Sequence, residues 1–113
     1  MDARNEAGAE TGERRIMDLT GFERSLEEAA PPEGLSTPLQ ALWQEARGHW
    51  DEAHALAQAD KGPAGAWVHA YLHRVEGDLR NAGYWYRRAG RPESKQALRD
   101  EWRAIATTLL AEG

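Results

Sequence analysis

The chain of 113 residues carries a net charge of −5 and contains no cysteine, which excludes disulfides, thiol nucleophiles and cysteine-ligated zinc. The negative charge argues against non-specific binding to nucleic acid or to anionic membranes. No segment approaches the roughly 18 apolar residues of a membrane span, and the N-terminus lacks the apolar region of a signal peptide. A cytoplasmic protein of one small domain is therefore expected.

The N-terminal segment, residues 1–14, is rich in Gly, Ala and Glu without an apolar period, which predicts disorder. Residues 15–113 are predicted to form a single helical domain. Within it, Thr20 and Glu23 fit a capping box. A first helix is therefore expected over about residues 21–30, and the Pro-Pro pair that follows ends it.

The second helix has the strongest start signal in the chain. Thr37 fits an N-cap, Pro38 occupies the first turn, where no N–H is needed, and Gln40 completes a capping box. Gly48 ends this helix, and a third helix is predicted over about residues 50–60. The predicted inner face of the third helix contains Trp50, Ala53, His54 and Ala57.

Residues 64–90 are predicted to form a central hairpin of two antiparallel helices. The first helix is apolar on most sides, as is typical of a helix that is covered by several neighbours. Gly77 follows its last periodic residue and suits the left-handed C-terminal position. Asp78 can cap the second helix, and Gly90 ends it.

A last helix is predicted after Pro92, capped by Ser94 or a neighbour and running to about Leu110. Its apolar residues recur at helical spacing, so we expect it to cover a hairpin face that would otherwise be exposed. The predicted stripe consists of Leu98, Trp102, Ile105, Ala106 and Leu109.

When Gly48 is aligned with Gly77, two predicted helix–glycine–helix units match in sequence. Residues 48–53 (GHWDEA) and 77–82 (GDLRNA) share the turn and the small alanine at which paired helices approach closely. The pattern resembles tetratricopeptide and Sel1-like repeats over about residues 39–92. The resemblance implies an all-α fold of about two antiparallel hairpins with flanking N-terminal and closing C-terminal helices. It also implies a protein or peptide partner, and the shortage of repeats makes a homodimer through the repeat face an alternative.

The histidines are the main candidates for chemistry. His69 and His73 have the i, i+4 spacing that lets two imidazoles share a metal ion, Glu76 continues their face, and His54 lies on the preceding helix. These four residues could hold zinc, nickel or iron with an open position. The first alternative is a solvent-facing stripe, which periodicity favours, or a partly buried polar cluster of the hairpin residues, with His54 a hydrogen-bonded core residue. Alignment to the repeat family instead makes His69 and His73 buried. A cleft for a ligand or partner is the third alternative.

A second set of candidates would bind a ligand or partner. The hairpin is locally basic and aromatic, which suits an anionic group, although ion pairing with neighbouring carboxylates and burial in the core are the alternatives. The candidate residues are Trp67, Tyr71, Arg74, Arg87 and Arg88. No nucleophile constellation is visible. The sequence therefore favours a small non-enzymatic binding or scaffold protein, and the alternative is a metal-binding protein or small metal-dependent enzyme.

Overall fold

The computed structural model describes residues 17–112, so the segment predicted to be disordered, residues 1–14, lies outside the described range. Within residues 17–112 the chain forms six helices and no strand, which confirms the all-α prediction. The helices are α1 (Leu19–Ser25), α2 (Thr37–Ala46), α3 (Trp50–Ala59), α4 (Pro63–Glu76), α5 (Leu79–Ala89) and α6 (Leu98–Glu112). Over this part of the chain, none of the helices combines the length and apolar character that crossing a bilayer requires.

The first helix starts earlier and ends earlier than its sequence predicts. Asp18, rather than Thr20, is the N-cap, and its Oδ1 accepts a hydrogen bond from the Gly21 N–H at 2.9 Å. A carboxylate suits this position because the first N–H groups of a helix are unpaired and partly positive. The helix ends at Ser25, so the predicted extension to residue 30 is wrong.

The start of α2 is shifted by one residue. Ser36, rather than Thr37, is the N-cap, and its Oγ accepts from the Leu39 N–H at 3.4 Å. The Gln40 side chain donates to the Leu35 carbonyl oxygen at 2.9 Å instead of completing a capping box. Ser36 and Thr37 are both favoured N-cap residues, so the sequence does not distinguish them. The backbone geometry decides which hydroxyl accepts the hydrogen bond.

The glycine turn of the central hairpin is confirmed. Gly77 has φ 88°, and Asp78 Oδ1 accepts from the Asn81 N–H at 3.2 Å. The last helix lacks the predicted serine cap, because α6 begins only at Leu98 and the Ser94 hydroxyl accepts from the Gln96 N–H at 3.2 Å.

Helix α4 is the centre of the fold, since it packs against α2, α3, α5 and α6. Helix α6 covers α2 and α4 and also contacts α1, as a closing helix should. Trp102 carries much of this contact, because its ring stacks on Phe22 at 5.4 Å and its Nε1 donates to the Leu42 carbonyl oxygen at 3.0 Å.

An ion pair also fastens α6 to the hairpin. Arg74 Nη1 lies 2.6 Å from Oε1 of Glu101, which is buried, and the Tyr86 hydroxyl donates to the other oxygen of the same carboxylate. Among the described helices, α5 packs chiefly on α4, and Tyr86 adds the contact with Glu101 of α6. The outer face of α5 is exposed as a result, with Leu79 64% and Tyr84 44% accessible.

Candidate metal centre

Three histidines converge between α3 and α4. His54 comes from α3, and His69 and His73 occupy successive turns of α4 on one face. One ring nitrogen of each lies within 4.8 Å of those of the other two. The ring centroids are 4.6 Å apart for His54 and His69, 4.9 Å for His69 and His73, and 5.3 Å for His54 and His73. We call these residues the histidine cluster.

Two tryptophans pack against the histidine cluster. Trp85 of α5 stacks on His69, with 3.8 Å between ring centroids and 16° between planes. Trp50 stacks on His54 at 4.9 Å and 11°, and its Nε1 donates to the Leu72 carbonyl oxygen at 2.9 Å. The indoles thereby cover the imidazoles with apolar surface.

The solvent-stripe interpretation is wrong for the two α4 histidines. His69 is only 3% exposed and His73 6% exposed, because α5 folds back over them. Burial agrees with the position that the repeat alignment gives them. His54 is half-buried, and Glu76 is exposed at the edge.

Burial keeps two rings of the cluster, those of His54 and His69, neutral near pH 7. Burial is the largest cause, and together with the nearby His54 and His73 rings, which repel a proton, it lowers the pKa of His69 to about 4. The pKa of His54 is lowered by burial and by His73, against weaker opposing effects of Glu76 and Asp51. Neutral imidazole is the form that binds metal ions.

Hydrogen bonds orient the His73 ring. Its Nδ1 lies 2.7 Å from Glu76 Oε2, and its Nε2 lies 3.3 Å from Asn81 Nδ2. Since the carboxylate accepts, we assign the proton to Nδ1, which leaves the Nε2 lone pair facing the Asn81 amide. A carboxylate behind a histidine is the arrangement that commonly fixes a metal-ligating ring. Glu76 therefore occupies a supporting position behind His73.

His69 and His54 have unused hydrogen-bonding capacity. Within residues 17–112, no protein group forms a hydrogen bond with the ring nitrogens of these two residues. The hydrogen bonds made by the histidine cluster are both made by His73. A buried polar group without a partner costs about 1–3 kcal/mol. For the almost fully buried His69, a ligand at the ring nitrogens would offset this cost.

The other candidate residues are not gathered into one site. Trp67 and Tyr71 are buried, so they belong to the core and do not form an exposed anchor. The Tyr71 hydroxyl donates to Glu45 Oε1 at 3.3 Å. Arg74 is held by Glu101, as the ion-pairing alternative predicts.

Arg87 and Arg88 lie on the exposed surface of α5. The Arg88 guanidinium lies 5.1 Å from the centre of the Trp85 ring and donates to the Tyr84 hydroxyl at 3.1 Å. Within the described range, neither arginine has a carboxylate partner, since the ion pairs there involve other residues. The ion-pairing alternative therefore does not account for them.

Sequence reasoning did not identify Trp85 and Asn81 as neighbours of the histidines. Trp50 precedes His54 by one helical turn, and the shared face could have linked them. Trp85 and Asn81 belong to α5 and reach the histidine cluster only because the turn at Gly77 folds α5 back over α4.

Comparison of the chain with protein-family models, with curated proteins and with solved structures found no match. The resemblance to tetratricopeptide and Sel1-like repeats therefore stays a prediction.

Proposed function

We propose that this protein binds a divalent metal ion, best fitted by zinc, through His54, His69 and His73. The observation that carries the proposal is the convergence of three imidazoles on one small volume. Two of these rings have no other polar partner within the described residues. A metal ion would use the lone pairs that the fold leaves unpaired.

The geometry is close to that of a zinc site. Zinc–nitrogen bonds of 2.0–2.1 Å place tetrahedral ligand nitrogens about 3.4 Å apart, and the present separations are within 4.8 Å. Zinc binding would therefore require small movements that bring the three nitrogens closer together. Zinc fits because imidazole is one of its preferred ligands and it accepts tetrahedral geometry.

Zinc binding to untagged protein tests the proposal, by competition with a chromophoric chelator. We expect one zinc per chain, and we expect H54Q and H69Q to weaken binding by more than about 100-fold, the upper range for losing a mere supporting residue. His49 provides the matched control, because it is exposed in the turn before α3 and contacts Gln44 instead. Undiminished binding by H69Q would contradict the site.

A second function, binding of an acidic protein or peptide segment, is supported by the outer face of α5. This face presents exposed cationic and apolar side chains together, which suits an acidic segment with an apolar anchor. The exposed residues are Leu79, Arg80, Tyr84, Arg87 and Arg88. The predicted likeness to peptide-binding helical repeats supports the same role.

Charge reversal tests this surface. R87E/R88E should abolish binding of fluorescent acidic peptides carrying an aromatic residue, whereas R24E, an exposed change on α1, should leave it intact. Equal loss in both variants would indicate a non-specific charge effect. The alternative of a homodimer through the hairpin predicts a mass that rises with concentration in sedimentation and falls in R87E/R88E.

A further inference from the structure

The histidine cluster supplies one ligand fewer than four-coordinate zinc requires. Among residues 17–112, no fourth histidine or carboxylate joins the three imidazoles. Glu76 and Asp78 group only with His73, and Glu76 already bonds the Nδ1 atom of that ring. The fourth position would therefore fall to a ligand from solution, as in zinc sites that keep an open position.

Charge favours an anion at this position. Imidazole ligands carry no charge and so leave the full charge of a divalent ion in place, and the two carboxylates that act on His54, those of Glu76 and Asp51, offset only part of it. Trp50 and Trp85 exclude water from the stacked faces of the cluster, which strengthens the attraction between the ion and an anion.

Asn81 supplies a second contact for such an anion. Its Nδ2 lies 3.3 Å from His73 Nε2, the nitrogen that would ligate the metal. Once that lone pair is coordinated, the amide loses its acceptor while remaining beside the coordination sphere. The Asn81 backbone is held by the Asp78 cap, so the side chain stays at the edge of the cluster.

We infer that the bound metal keeps an exchangeable fourth position that takes a small carboxylate ligand. One carboxylate oxygen coordinates the metal and the other accepts a hydrogen bond from Asn81 Nδ2. A carboxylate suits these two contacts because its oxygens can bond the metal and a neighbouring donor at once. The inference rests on the proposed metal site.

The test uses the cobalt(II)-loaded full chain and acetate as the probe, with ionic strength held constant by perchlorate. Visible absorption reports the cobalt coordination sphere. Acetate should change the spectrum saturably, and N81A should weaken acetate binding about 10-fold or more, since a hydrogen bond to a charged group is lost. N81A should bind cobalt at least as tightly as the wild type, because the hydrogen bond that is lost competes with the metal for His73 Nε2, and R80A, the exposed neighbour on α5, should behave like the wild type.

Three results would overturn the inference while leaving the metal site intact. If acetate does not alter the spectrum, the cobalt coordination sphere has no exchangeable position, and Glu76 or another group is the fourth ligand. Equal acetate affinity in N81A and the wild type would remove Asn81 from the site. A parallel loss of cobalt and acetate in N81A would make Asn81 a residue that only positions His73. Cobalt uptake that is absent, or that H69Q leaves unchanged, would contradict the metal site and this inference together.

Discussion

The His69 ring packs against Trp85 and against the rings of the other two histidines. It is almost completely buried. A charged imidazolium in this position would lose its hydration and face two neighbouring rings that also attract protons. The residue therefore couples the stability of the metal-free protein to pH. A metal ion, which needs neutral rings, would face little competition from protons at this residue.

The metal-free protein should lose stability as the pH falls. The His69 pKa is about 4 in the folded chain against 6.5 for the ordinary group, so between these values the unfolded chain binds the extra proton. The stabilisation is complete above about pH 6.5 and is lost on the way down to about pH 4, by on the order of 3 kcal/mol. Urea melts of wild type and H69Q across this range measure it. Parallel pH profiles for the two proteins would show that His69 makes no such contribution.

Gly77 is the second residue with a specific conformational demand. Its φ of 88° lies in the left-handed region, and an added Cβ would meet no atom within 4 Å. G77V should therefore cost more than about 1 kcal/mol through backbone strain alone. G77N is the matched control, because asparagine tolerates this conformation and should cost less. If thermal melts rank the two variants equally, strain at Gly77 is not the cause.

At the level of helices, the order and type of the elements follow from local sequence signals. Apolar periodicity, the glycine turns and Asp78 act within a few residues, and the structure confirms the hairpin turn that they predict. The caps of α1 and α2 are displaced because neighbouring Asp, Ser and Thr side chains compete for the same N–H groups. The burial of His69 depends on α5 lying over α4, which spacing along α4 does not reveal.

The buried carboxylate of Glu101 adds to the apolar packing that attaches α6. Removing it in E101A would leave Arg74 and Tyr86 without their shared acceptor, and we expect a loss of about 3 kcal/mol. D100A alters the adjacent exposed residue of the same helix and should change stability by less than about 0.5 kcal/mol. Chemical denaturation of both variants gives the comparison. A small effect of E101A would mean that apolar packing around Trp102 fastens the helix without the ion pair.

For the whole molecule, α4 links the fold to the proposed function. It contributes two histidines to the cluster while packing against four other helices, so a metal ion bound there would join α3 to the central helix. Sequence spacing predicted His69 and His73 as a pair and placed His54 on an inner face. Their convergence depends on how α3 packs along α4, and the adjacent Asn81 and Trp85 depend on the hairpin closing.

The most direct test of this account is the thermal melt of untagged protein in EDTA and then in excess zinc, for wild type, H69Q and H49Q. At about a thousand times its dissociation constant, a ligand adds roughly 4 kcal/mol to stability, which should raise the melting temperature of a domain of this size by more than about 10 °C. We predict this shift in the wild type and in H49Q and its loss in H69Q. A melting temperature that zinc leaves unchanged in the wild type, or raises equally in H69Q, would contradict the three-histidine metal site.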